Sequence, residues 1–190
     1  QKNFNLWEGV YKTWDDAPGD DGVFNDDIWI SKITERKQKA SIIPSGAVLS
    51  GAVSYDNILP VVTAMAVASK RGVLRILDFG GGLGDGFFSL ADNLVQTNQV
   101  EFHVVESATV CKQGIKLFNQ ETRLFFHTKL PQFSDPIHIV HSRSAFQYSE
   151  DWVGLMKLFA GYKPKYLVLG CYFIFALADS FISVLSPQMS

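Results

Sequence analysis

The stretch "RILDFGGGLGDGFF" (75–88) constrains this chain more than any other: an apolar run ends in an aspartate, then breaks into glycines 80, 81, 82, 84 and 86. An apolar run bounded in this way reads as a buried strand, and glycines directly behind it as a tight turn into a helix. Such a turn leaves the first amides of the helix unpaired and pointing back at it, which makes a seat for an anionic or hydrogen-bonding ligand. Bare main chain lets that ligand come close.

The rest of the chain keeps the same grammar. A helical pattern opens near Asn57, with Pro60 tolerated in its first turn and "VVTAMAVASK" running to a basic residue before Gly72. Strand and helix signals then alternate: "VLRILDF" (73–79), "DGFFSLADNLVQ" (85–96), "VEFHVVE" (100–106), "TVCKQGIKLFNQ" (109–120), "RLFFHT" (123–128), "IHIVHS" (137–142), "EDWVGLMKLFA" (150–160) and "KYLVLG" (165–170). Short apolar strands separated by helices imply an α/β fold: a doubly wound, mainly parallel, Rossmann-like sheet with helices on both faces. Ligands of such sheets lie beyond the carboxyl ends of the strands, where strand order reverses. Residues 1–53 differ, holding three of the four tryptophans and the acidic "DDAPGDDGVFNDD". They read as an N-terminal arm or lid, leaving 54–190 as the cofactor-binding domain. Trp7, Tyr11 and Trp14, at spacings of four and three, predict one aromatic helical face that covers the crevice.

Two familiar nucleotide loops fail the residues. Frames of GxGxxG begun at Gly80, Gly81 and Gly82 break at Asp85, Leu83 and Phe87, and no lysine lies between Arg75 and Lys112 for a P-loop. An acid followed by GxGxG does fit, from Asp78 and Phe79 through Gly80, Gly81, Gly82 and Leu83 to Gly84. This pattern resembles the first motif of class I S-adenosylmethionine-dependent methyltransferases. That cofactor offers a carboxylate, an ammonium and a ribose rather than a pyrophosphate. The resemblance implies that Asp78 accepts from the ammonium, directly or through water, while the glycine main chain receives the adenosine and carboxylate. Asp85, opening the helix, is expected both to cap it and to touch the ligand. Glu106, closing the next strand 22 positions after Gly84, is placed to take both ribose hydroxyls, with Ser107 beside it. His127 ends the third strand where an adenine edge would be read, and Ser142 joins the cofactor set.

The wider chain is similar to a group of bacterial methyltransferases of inferred activity associated with surface-polysaccharide gene clusters. The similarity rests on "WEGVYKTWDDA" (7–17), "ILDFGGGLGDGFF" (76–88) and "HSRSAFQYSEDW" (141–152). It implies methylation of an acceptor of unassigned identity, a sugar among the options. The chain departs from the group where "YLVLG" runs into "CYFIFALADSF" without an arginine-containing turn, and it stops before a last pair of strands is evident.

Methyl transfer is an in-line displacement, so the protein must hold an acceptor atom collinear with the leaving sulfur. For a hydroxyl acceptor a base helps, and His141 at the end of the fourth strand is the best-placed imidazole. Tyr148 and Ser142 are the residues expected to orient substrate, Ser144 less so. His103 and His138, inside strands, read as structural lining.

Composition narrows the rest. With 190 residues, 47% hydrophobic and 19% charged, the chain buries one real core. A formal charge of −2 leaves no footprint for nucleic acid, and the basic "KITERKQKA" (32–40) reads as a solvated face. Cys111 and Cys171 lack metal-ligand spacing and read as buried thiols of a reducing, cytoplasmic protein without a metal site. The chain opens with neither Met nor an apolar signal core. "YLVLGCYFIFALADSFISVL" (166–185) is long enough to span a bilayer, but Asp179 would cost up to ~3 kcal/mol there, and the stretch reads better as strand, loop and strand. The leading expectation is an S-adenosylmethionine-dependent O-methyltransferase acting on a small-molecule or glycan acceptor. The alternatives are a non-catalytic cofactor-binding scaffold and a nicotinamide-dependent oxidoreductase of the same architecture.

Overall fold

The computed structural model describes residues 7–16, 31–32, 34–35, 58–69, 72–93, 99–170 and 182–185. Its centre is a sheet of five strands, β2 (Leu74–Phe79), β3 (Val100–Val105), β4 (Leu124–His127), β5 (Ile139–Arg143) and β6 (Tyr166–Gly170), in the order β4-β3-β2-β5-β6. Every neighbouring pair is parallel. The chain steps outward from β2 to β3 and β4, returns to the other side of β2 for β5, and steps out again to β6. Strand order therefore reverses between β2 and β5, with Asp78 opposite His141 and Phe79 opposite Ser142 at the carboxyl ends.

Alternating side chains send two cores to opposite faces. One face carries Ile76, Phe102, Val104, Leu124 and Ile139, and is covered by α1 (Ile58–Ala68) through Leu59 and Ala66 and by α2 (Asp85–Asn93) through Phe87 and Leu90. The helix α3 (Ala108–Leu117) lies against β4 on this side, and Ser107 caps it, its Oγ accepting from the Val110 amide at 3.4 Å. The other face carries Leu77, Val105 and Val140 under Leu155 and Phe159 of α4 (Trp152–Gly161). Asp151 caps that helix, accepting from the Gly154 amide at 2.7 Å. Leu77, Ile76, Phe102 and Phe159 are fully buried, each stabilising the fold by about 1.5–3 kcal/mol.

The crossover from β4 to β5, residues 128–138, carries no helix. It is held to the second face by Leu130, Phe133 and Ile137 and by the Tyr162 hydroxyl, which donates to the Pro131 carbonyl at 2.7 Å. His138 falls just ahead of β5 rather than inside it, and its Nδ1 accepts from the Arg75 amide at 3.0 Å.

The N-terminal expectation is corrected. Trp7–Tyr11 is not helical but forms strand β1, antiparallel to β7 (Ile182–Leu185), with a register shift between Trp7 and Gly9. Spacings of four and three suggested one helical face, yet strand pairing with a distant segment overrides local periodicity. Trp14 lies beyond the strand, in the turn that follows it. The stretch 166–185 begins and ends in strand, its residues 171–181 lying outside the described set, and no helix among the described residues is long and apolar enough to cross a membrane. Cys171 and the basic residues Arg36, Lys37 and Lys39 also lie outside it.

Candidate functional site

The glycine turn begins where β2 stops. Gly80, Gly82 and Gly84 all have φ in the left-handed region, at 70°, 57° and 81°. The turn is tied to β3 at two points: the Gly80 amide donates to the Val105 carbonyl at 2.9 Å, and the Gly82 amide to Oε1 of Glu106 at 3.2 Å. The Gly84 amide closes the bend on the Gly81 carbonyl at 3.0 Å.

What each glycine avoids is informative. A Cβ on Gly80 would overlap that of Ala145, in the segment after β5, and one on Gly81 would overlap the Asp78 carboxylate. These two are bare because the protein's own atoms press on them. A Cβ on Gly82 would meet nothing within 4 Å, so here the main chain borders open space. Gly82 is the place in the bend with room for a foreign molecule beside the backbone.

Asp78 is 1% exposed, and its Oδ1 lies 2.7 Å from Nδ1 of His141, itself buried. The strand register makes the pair, and the N-terminus of α2 covers it, with the Asp78 Oδ2 beneath Gly86. A carboxylate accepts, so Nδ1 of His141 carries a proton, and in the neutral ring Nε2 is the acceptor. Sequence reasoning named both residues for different tasks; the fold joins them. Asp78 is already engaged by His141.

Glu106 stands immediately after β3. Its Oε2 accepts from the Ser107 amide at 2.9 Å while Oε1 takes Gly82. Burial raises its pKa above the ordinary carboxylate value, the two amide bonds pull it back, and the charge of Asp78 adds to the rise. Each oxygen keeps a further lone pair, so the carboxylate can still receive two hydroxyl donors. Cys111 is a buried free thiol, its Sγ donating to the Glu106 carbonyl at 3.4 Å and its pKa raised by burial.

The remaining expected residues scatter around this centre. Phe79 turns its ring to the second face, 5.5 Å from that of Phe159, and offers the site only main chain. Asp85 is the first residue of α2, favourably placed for the helix dipole. Ser107 spends its hydroxyl on capping α3. Ser142 is 1% exposed, and its Oγ has no hydrogen-bond partner among the described residues. Ser144 holds φ at 54°, and Tyr148, 46% exposed, ends a short 3-10 turn, Phe146–Tyr148. His127, at the end of β4, is not isolated: its Nε2 is 3.0 Å from Nδ1 of His103. Sequence reasoning did not foresee the contact of His103 with His127, or Ala145, which seats the turn. Neither role has a local signal, because each depends on strand register. Among the described residues no group of three or more His, Cys, Asp or Glu could hold a metal ion.

No family model and no curated protein matches the chain. Among solved structures it is similar to the plantazolicin methyltransferase BpumL in complex with a monoazolic desmethylPZN analog and SAH, with TM-score 0.49 and 12% identity over 74% of this chain and 51% of that one. It is similar also to the plantazolicin methyltransferase BamL in complex with a triazolic desmethylPZN analog and SAH (TM-score 0.48, 16% identity, 74% of this chain and 50% of that one). A third is the SeMet-substituted CurJ carbon methyltransferase (TM-score 0.39, 16% identity, 48% and 27%). The chain spans about half the length of the plantazolicin enzymes.

Proposed function

We propose that the protein binds S-adenosylmethionine at the carboxyl ends of β2 and β3 and transfers its methyl group to a hydroxyl of a small-molecule or glycan acceptor. The observation that carries this reading is the open main chain at Gly82 beside the Glu106 carboxylate. A ligand with a vicinal diol and no phosphate matches that combination, since a carboxylate takes hydroxyl donors and repels phosphate. Glu106 would hold the ribose hydroxyls and the turn from Gly80 to Asp85 the remainder, with Ser107, His127 and Ser142 at the margins. When bound, the cofactor supplies an electrophilic methyl group on a sulfonium.

The chain's own residues then have definable tasks. Asp78 fixes the ring of His141 so that Nε2 can receive the proton of the acceptor hydroxyl as the new C–O bond forms. Asp78, with Oδ1 engaged by His141, keeps acceptor capacity for the cofactor's ammonium, directly or through water. Tyr148, exposed beyond β5, orients the acceptor. Residues 1–53 stay assigned as an arm or lid; their described part includes β1, paired with β7, and the greater part lies outside the described residues.

The deep burial of the Asp78–His141 pair favours one second reading, a protein that holds the cofactor without turning it over. Calorimetry with S-adenosylhomocysteine, followed by radiolabelled methyl transfer to a cell-envelope extract, separates the two. Binding with incorporation that His141→Ala abolishes supports the transferase; binding without incorporation supports the scaffold; no binding overturns both.

A further inference from the structure

A second imidazole pair joins His103, inside β3, to His127, at the end of β4. His103 is 7% exposed, stacked on Phe125 at 4.8 Å and met edge-on by Phe133 at 4.7 Å. Its Nδ1 lies 3.0 Å from Nε2 of His127, while its own Nε2 is buried with no hydrogen-bond partner among the described residues. Burial lowers the His103 pKa to about 4, the neighbouring His127 and Arg75 adding to the shift, and burial lowers that of His127 as well. Both rings are therefore neutral at neutral pH, and each carries one proton.

Two proton arrangements satisfy the bond between them, and they are not equivalent. If His127 donates from Nε2, neutral His103 must keep its proton on its own Nε2, an N–H buried without an acceptor. If His103 donates from Nδ1, its Nε2 is a bare lone pair. An orphaned buried N–H is the rarer of the two in folded proteins. The second arrangement wins, and it has a consequence for the outer ring: with Nε2 accepting, neutral His127 must carry its proton on Nδ1.

We propose that His103 is a positioning residue that locks His127 as a neutral N–H donor at the carboxyl end of β4, for a ring nitrogen of a purine. The neighbourhood selects that ligand class. Val105 is opposite His127 in the sheet, and the Glu106 amide donates to the His127 carbonyl at 2.9 Å, so the residue that carries the carboxylate and the one that carries the neutral N–H donor are main-chain neighbours on adjacent strand ends. A carboxylate for hydroxyls next to a neutral donor for an aromatic nitrogen is complementary to the sugar and base of a nucleoside. A neutral imidazole among phenylalanine rings gives an anion no charge to pair with. The inference rests on the cofactor reading for the identity of the nucleoside; the tautomer does not.

The test has two arms. Long-range proton–nitrogen correlation on uniformly 15N-labelled protein without ligand, at pH 7, should show both rings protonated on Nδ1; an Nε2–H tautomer for His127 overturns the inference. Calorimetry then compares S-adenosylhomocysteine with its 1-deaza, 3-deaza and 7-deaza adenine analogues. One analogue should bind about tenfold more weakly than the parent, the scale of one neutral hydrogen bond. That gap should close in His103→Phe and return in His103→Asn, whose amide can donate to His127. Equal affinities across the analogues, or a gap unchanged in a folded His103→Phe, overturn the ligand half. A wild-type protein that binds none of them overturns the cofactor reading and the ligand half together, and the tautomer still stands or falls on the first arm.

Discussion

The β2/β5 junction and the β3/β4 junction each bury a histidine whose Nδ1 makes a short bond, and they differ in the partner. His141 meets a carboxylate at 2.7 Å; His103 meets another imidazole at 3.0 Å. A carboxylate only accepts, so it fixes the His141 proton outright. An imidazole can give or take, so the His103 proton is fixed at one remove, by the absence of an acceptor on its far side. The two pairs also lie on opposite faces, one beneath α2, the other against the β4–β5 crossover. Identical side chains inside two strands of one sheet thus acquire different chemistry from the neighbouring strand.

The largest expected effect breaks the first pair. Asp78→Ala removes the acceptor from a buried N–H and should cost about 4 kcal/mol in urea unfolding, whereas His127→Phe, which leaves a neutral ring beside an aromatic one, should cost about 1 kcal/mol. Equal costs would remove the distinction. The next effect is titration of the second pair. The His103 pKa in the fold, about 4, lies below its ordinary 6.5, so its stabilisation is complete above pH 6.5, falls as the pH drops and is gone below pH 4. Wild type should lose on the order of 3 kcal/mol relative to His103→Phe across that window. Parallel pH profiles for the two proteins would contradict it.

The glycine turn bridges the junctions, and its residues should report on them separately. Gly80→Ala meets Ala145 and a φ of 70°, so a loss of about 2 kcal/mol of stability is expected. Gly82→Ala, at a φ of 57° but facing open space, should cost only about 1 kcal/mol in unfolding. Its binding of S-adenosylhomocysteine should nonetheless fall further than that of Gly80→Ala when both are measured below their melting temperatures. The reverse order would move the ligand away from Gly82.

These contrasts also show what the sequence could and could not reveal. Strands β2 to β6 and the helices between them were legible because buried apolar runs and 3.6-residue periodicity are local properties, and the positions of Asp78, Gly82 and Glu106 at or just beyond the carboxyl ends of β2 and β3 were legible with them. The pairing of Trp7–Tyr11 with Ile182–Leu185 was not, since nothing within five residues specifies a partner at the other end of the chain. His103 read as lining until register set it beside His127. Most of the turn's glycines looked like room for a ligand; Gly80 and Gly81 turn out to make room for Ala145 and the Asp78 carboxylate.

The central claim is that the bend at Gly82 and the Glu106 carboxylate together hold an adenosyl group. Titrating 15N-labelled protein with S-adenosylhomocysteine tests it most directly. The account predicts saturable shifts of the Gly82 and Ser107 amides, with a gain of about 2.7 kcal/mol in stability at a hundredfold excess over Kd. Unmoved resonances and an unchanged melting temperature at millimolar ligand would contradict it.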